Sequence, residues 1–135
     1  MRNYIGILDG KDDVWGIIIP DWPGCHGGGA TMDAAIADAT SALREFAAHR
    51  AATGEPMPEP RTPEAIRADP EYQFAFEGPV TFAVIPLVLD KGKPVRANLS
   101  IDAGVLEAID EAARRAGVTR SAFIVSAALE KLGAT

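Results

Sequence analysis

Apolar and polar positions recur along this chain with two periods, and the changes of period divide it into elements. Residues 2–8 (Arg2-Asn3-Tyr4-Ile5-Gly6-Ile7-Leu8) read as a first strand, and Val14 to Ile19 as a second. Asp9 to Asp13 forms the turn of the resulting hairpin, with Asp9-Gly10 its strongest signal. Pro20 ends the pairing because it offers no amide donor. After a loop, a short third strand runs from near Cys25 into Ala30. Thr31 then caps a long helix whose apolar stripe is Met32, Ile36, Ala39, Leu43 and Phe46, widened by Ala47. The helix fades by Ala52 and Gly54.

The proline-rich run Glu55 to Pro60 predicts an extended connection. Thr62-Pro63-Glu64 supplies a cap, a first-turn proline and an acid near the dipole, so one short helix follows and ends before Pro70. Thr81 to Leu89 reads as a fourth strand. Its continuous apolar run suggests burial on both faces, and Pro86 suggests a sheet edge or a bulge. Asp90 to Lys93 is a linker, and no internal repeat is visible.

The period changes again in the last third. Val95, Ala97, Leu99 and Ile101 alternate with Arg96, Asn98 and Ser100, as in a strand with one polar face. Asp102 can cap a helix carrying Val105, Leu106, Ile109, Ala112, Ala113 and Ala116; Gly117 stops it. Thr119 caps a second helix with Phe123, Ile124, Ala127, Ala128 and Leu132 on one side. A lone strand has no ladder partner, and two short helices cannot enclose a core, so a second copy of the segment is the economical solution. Two strands paired across a two-fold axis would carry Arg96, Asn98 and Ser100 twice on one face. Arg and Asn suit bidentate contacts with guanine and adenine, and a two-stranded ribbon fits the major groove.

The segment resembles the ribbon-helix-helix DNA-binding fold. The matching residues are Arg96 to Ile101, Leu106-x-x-Ile109-Asp110, and the turn Gly117-Val118-Thr119-Arg120-Ser121. The resemblance implies that the start of the second helix holds a DNA phosphate, a role carried to Thr119, Arg120 and Ser121. The competing reading is a dimerisation module whose polar strand face meets only water.

Charge sharpens the division. The 135 residues carry a formal net charge of −6, which taken alone argues against nucleic acid. Residues 1–90 hold 6 Lys/Arg against 14 Asp/Glu, a net of −8, and residues 91–135 hold 7 against 5, a net of +2. The C-terminal part therefore tolerates a phosphate backbone, while the N-terminal part repels it and attracts a basic partner. No apolar run is long enough to span a bilayer, and no charged-then-apolar leader opens the chain. Cys25, the single cysteine, cannot form an internal disulfide, which fits a reducing cytoplasm.

The N-terminal half, strand-strand-strand-helix-strand, bears a second resemblance. The stretch from Ile19 through Pro20-Asp21-Trp22-Pro23-Gly24-Cys25 to Thr31 and Ala34-Ala35 is similar to the signature of HicB-type antitoxins. Gly27-Gly28-Gly29 departs from the family, which more often has a polar or acidic residue before the Thr. The resemblance implies an α+β fold: a small antiparallel sheet with one main helix, partial RNase H-like, in residues 1–90. A ribbon-helix-helix that dimerises follows in residues 91–135. It also implies a HicA-like, RNA-cleaving toxin as partner, operator DNA bound by a homodimer or by paired dimers, no membrane association and no cofactor. Asp21, Trp22 and Trp15 are the candidate toxin contacts, although either tryptophan can equally cap the sheet. The alternative is a stand-alone ribbon-helix-helix regulator with a ligand-sensing N-terminal domain.

No catalytic constellation is expected. A two-metal nuclease needs converging carboxylates. Asp9, Asp33, Asp38, Glu45 and Asp90 read instead as scattered surface acids. Cys25 and His26 are neighbours whose side chains should point apart, with Cys25 a small buried hydrophobe. The glycine run lacks the lysine of a phosphate-binding loop and reads as a flexible turn.

Overall fold

The computed structural model describes residues 1–134, so Thr135 lies outside the described residues. Two compact units are present, Met1–Asp90 and Lys91–Gly133. In the first, strands β1 (Arg2–Lys11), β2 (Val14–Ile18), β3 (His26–Gly29) and β4 (Thr81–Leu87) form one antiparallel sheet in the order β3-β2-β1-β4. Helix α1 (Met32–Ala52) covers one face. Helix α2 (Pro63–Arg67) and a 3₁₀ helix (Pro70–Phe76) lie between α1 and β4 in the chain. This is an α+β architecture.

The hairpin turn falls two residues later than the Asp9-Gly10 signal suggests. β1 continues through Gly10 to Lys11, which pairs with Val14, and Asp12 takes a positive φ of 56° in the turn. Asp tolerates that conformation better than most residues. Gly10 serves Trp15 opposite it: a Cβ there would stand 2.9 Å from the indole Cδ2. The fourth strand is an edge, in accord with Pro86, but it is not buried on both faces. Val84 is 61% exposed while Ile85 and Leu87 are buried.

Helix α1 presents a different stripe from the one its bulky residues suggest. Ala35, Ala39, Leu43 and Ala47 are buried, while Met32 and Phe46 are 39% and 38% exposed. The reason lies in the glycine run, which is strand β3 rather than a flexible turn. A Cβ on Gly27 would sit 2.4 Å from the backbone N of Ala39, and one on Gly29 would sit 2.7 Å from Ala34 Cβ. The helix backbone rests directly on the strand, and only alanines fit the contact. The Gly28 amide donates to Asp38 Oδ2 at 2.9 Å, tying strand to helix. Thr31 caps the helix, its Oγ1 accepting from Ala34 N at 3.0 Å.

The proline-rich segment is extended and fastened. Tyr4 Oη donates to the Pro58 carbonyl at 2.7 Å, and Met57 packs against the core of Tyr4, Leu8, Ile17, Ile19, Leu43 and Ile85. Thr62 caps α2 with Pro63 in its first turn, and Ile66 is fully buried.

The second unit contains α3 (Ala103–Ala116) and α4 (Arg120–Lys131). Asp102 Oδ1 accepts from Val105 N at 3.1 Å, and Thr119 Oγ1 from Ala122 N at 3.1 Å. Gly117 ends α3 in the left-handed conformation, φ 70°, which leaves the Val118 amide free to close onto the Ala113 carbonyl at 3.0 Å. Residues 93–102 form no regular element in the single chain. The predicted strand Val95 to Ile101 has no ladder partner among the described residues.

Candidate functional site

The loop from Pro20 to Cys25 is shaped by its own backbone. Trp22 N donates to the Ile19 carbonyl and Cys25 N to the Trp22 carbonyl, both at 2.9 Å. Asp21 points inward, its side chain 2% accessible, and accepts from the Arg61 amide at 2.9 Å and from Arg61 Nε at 2.6 Å. Arg61 Nη1 reaches Asp69 at 2.7 Å. Hydrogen bonds to Asp21 and then Asp69 push the Arg61 guanidinium further above its ordinary pKa. The Arg61 hydrogen bond holds the Asp69 carboxyl below its ordinary range, helped by the Glu71 amide. One arginine thus ties the loop to the residues after the proline-rich segment. Nothing in the spacing of Asp21 and Arg61, forty residues apart, announced the pair.

Trp22 is only 1% exposed and meets Tyr4 edge-to-face at 5.6 Å, with the Arg50 guanidinium 4.7 Å above its ring centre. It is therefore a core residue and not a surface anchor. Its indole N–H has no acceptor among the described residues. Asp21 is likewise committed inside the fold. Trp15 is half-buried; it packs on the core, and its Nε1 donates to the Asp12 carbonyl at 3.2 Å. Of the three candidate toxin contacts, Asp21 and Trp22 are buried within the fold and Trp15 is half-buried.

A different feature stands on the sheet face away from α1. A groove of about 370 Å³ is floored by Ile7, Ile18 and Gly16, walled by Phe74 and Val80, and rimmed by Asp9 and His26. Cys25 is buried while His26 is exposed, so the two do not combine as nucleophile and base. Burial pushes the Cys25 thiol up to about 11, which keeps it protonated at neutral pH. Among the described residues no group of three or more His, Cys, Asp or Glu side chains is placed to hold a metal ion.

In the second unit, Arg96, Asn98 and Ser100 are all exposed. Asn98, Arg120 and Ser121 line one groove of about 400 Å³ with Leu99, Leu106 and Ile124; Arg96 and Ser100 lie outside it. Two of the expected phosphate ligands already have partners. Thr119 uses its hydroxyl as the α4 cap. Arg120 is held bidentately by Asp110, with Nε–Oδ1 at 2.7 Å and Nη2–Oδ2 at 2.8 Å. The Arg120 hydrogen bond lowers the Asp110 pKa. Ala113 is the one buried residue of 91–133, while Val95 is 88%, Leu99 64% and Val125 57% exposed.

The chain thus joins a self-contained α+β domain to a two-helix segment that lacks an interior. That combination defines a small protein of two unlike units. Residues 4–128 match the family of HicB-like antitoxins of bacterial toxin–antitoxin systems, and the chain belongs to that family. It is similar to the crystal structure of the Burkholderia pseudomallei antitoxin HicB, with 32% identity over 98% of this chain and 97% of that one and a TM-score of 0.52. The antitoxin HicB3 crystal structure is similar at 25% identity, over 96% and 97% of the chains, with a TM-score of 0.53. A chain of a toxin–antitoxin complex from Streptococcus pneumoniae shares the fold at 16% identity, over 96% and 98%, with a TM-score of 0.52. No curated protein matches the chain. Among the described residues no helix is long and apolar enough to cross a membrane.

Proposed function

We propose that this antitoxin neutralises a small, basic, HicA-like RNA-cleaving toxin by direct binding through residues 1–90. In the same proposal it represses its own operon through a C-terminal ribbon-helix-helix. The observation that carries the reading is the contrast within one chain. An acidic unit with a complete core precedes a basic unit with a single buried residue. Opposite charge steers the basic toxin to the first unit at a high association rate. The second unit gains its interior from a second copy, which also pairs the two 95–101 segments into a ribbon.

In that ribbon Arg96 and Asn98 read base edges and Ser100 flanks them. The phosphate site at α4 rests on the Arg120 and Ser121 amides and the Ser121 hydroxyl. The Arg120 guanidinium serves to brace α4 against α3 through Asp110. No catalytic role is assigned to the chain, and it works in the cytoplasm.

The test is to purify the tagged full chain from its native cells and identify what accompanies it. The reading expects a small basic protein in near-equal amount, and a shifted band with the chain's own promoter DNA. Recovery of the chain alone supports the second reading, a stand-alone regulator with a ligand-sensing N-terminal domain, which the groove on the sheet favours.

A further inference from the structure

The groove on the sheet face away from α1 has the chemistry of a socket for one cationic side chain. Its floor is aliphatic, from Ile7 and Ile18, and flat at Gly16. Phe74 stands beside it with 62% of its surface exposed, its ring tilted against Tyr72 at 6.0 Å between centroids. Asp9 is exposed at the rim, and its carboxylate makes no hydrogen bond or ion pair within the described residues. Asp12 and Asp13 follow in the hairpin turn directly beyond. A volume of about 370 Å³ accepts a side chain or two, not an element of structure.

We infer that this groove is the toxin-docking surface, and that it receives an arginine or lysine of the basic partner; the inference rests on the antitoxin reading above. The aliphatic stem would lie on Ile7 and Ile18, the cationic head would meet the Asp9 carboxylate, and the Phe74 ring would face the charge. A nucleic acid is disfavoured by the net charge of −8 on residues 1–90. A second copy of this chain is disfavoured because a two-fold contact would set Asp9, Asp12 and Asp13 against themselves.

Gly16 gives a clean way to block the socket. A Cβ at Gly16 would meet Asp9 Oδ1 and the Gly27 carbonyl only at 3.9 Å, so a side chain there can rise into the groove beside the Asp9 carboxylate without displacing backbone. The experiment measures affinity of the full chain for the small basic protein recovered with it, by titration calorimetry. It compares wild type with Asp9→Lys, Asp9→Asn, Gly16→Phe and the charge-matched control Glu45→Lys on α1. Asp9→Lys and Gly16→Phe should each weaken binding at least tenfold, Asp9→Asn less, and Glu45→Lys less than twofold. Circular dichroism melts should stay at the wild-type value, since Asp9 is exposed and Gly16 has room. Undiminished affinity in Asp9→Lys and Gly16→Phe overturns the socket and leaves the antitoxin reading intact. If wild type recovers no basic protein, the antitoxin reading and the socket fall together.

Discussion

The two units spend the same kind of sequence differently. In residues 1–90 the apolar residues find each other: Tyr4, Leu8, Ile17, Ile19, Trp22, Leu43 and Ile85 are at most 2% exposed. In residues 91–133 the helices are capped just as well, by Asp102, Gly117 and Thr119, yet their apolar faces meet little but water. Capping fixes where a helix starts and stops; it does not supply an interior. The first unit has enough chain to wrap a sheet with a helix and fasten the loops by Arg61. The second is too short to do so alone, and in the proposed function a second copy completes it.

The comparison is sharpened most by removing the anchor of the first unit. Trp22→Ala should cost about 3–5 kcal/mol of that unit's stability, read as a drop in its melting temperature. Trp22→Phe should cost clearly less, because it also removes a buried N–H that has no acceptor. Gly27→Ala comes next, at about 1–3 kcal/mol, since its Cβ would push the Ala39 backbone off β3. In the second unit the expected losses appear in binding rather than folding. Arg96→Ala and Asn98→Ala should each reduce discrimination between operator and unrelated DNA by about 1–3 kcal/mol in band-shift titrations, with an unchanged melt. Unchanged operator affinity in both would break the base-reading assignment.

The smallest effect is the response to acid. The folded pKa values of Asp69 and Asp110 lie below their ordinary ones, so the stabilisation from their arginine pairs is complete above about pH 4. It is lost as the pH falls through those lowered values. Melting curves below pH 4 should show this loss, and Asp69→Asn and Asp110→Asn should each flatten it while lowering stability at neutral pH.

Local signals in the sequence carried much of this fold. The caps at Thr31, Thr62, Asp102 and Thr119, the left-handed Gly117 and the edge position of the Pro86 strand all follow from the chemistry of single residues. What escaped depended on partners distant in sequence. The buried stripe of α1 is rotated from its bulky residues toward its alanines, because a glycine strand draws the helix backbone close, and periodicity alone weighs size as burial. Trp22, in a loop between prolines, reads as exposed; Tyr4 and Arg50 enclose it. The groove joins Asp9 and His26 to Phe74, across a 3₁₀ helix that no apolar pattern announced. For the same reason the exposed surface around this groove was the least legible part of the chain.

In the proposed function residues 91–133 are completed by a second copy while residues 1–90 stand alone. Sedimentation equilibrium of the full chain and of a chain ending at Leu89, over a range of micromolar concentrations, tests it directly. A dimer or a pair of dimers is expected for the full chain and a folded monomer for the shorter one. A full chain that stays monomeric throughout, or a shorter chain that dimerises, would contradict it.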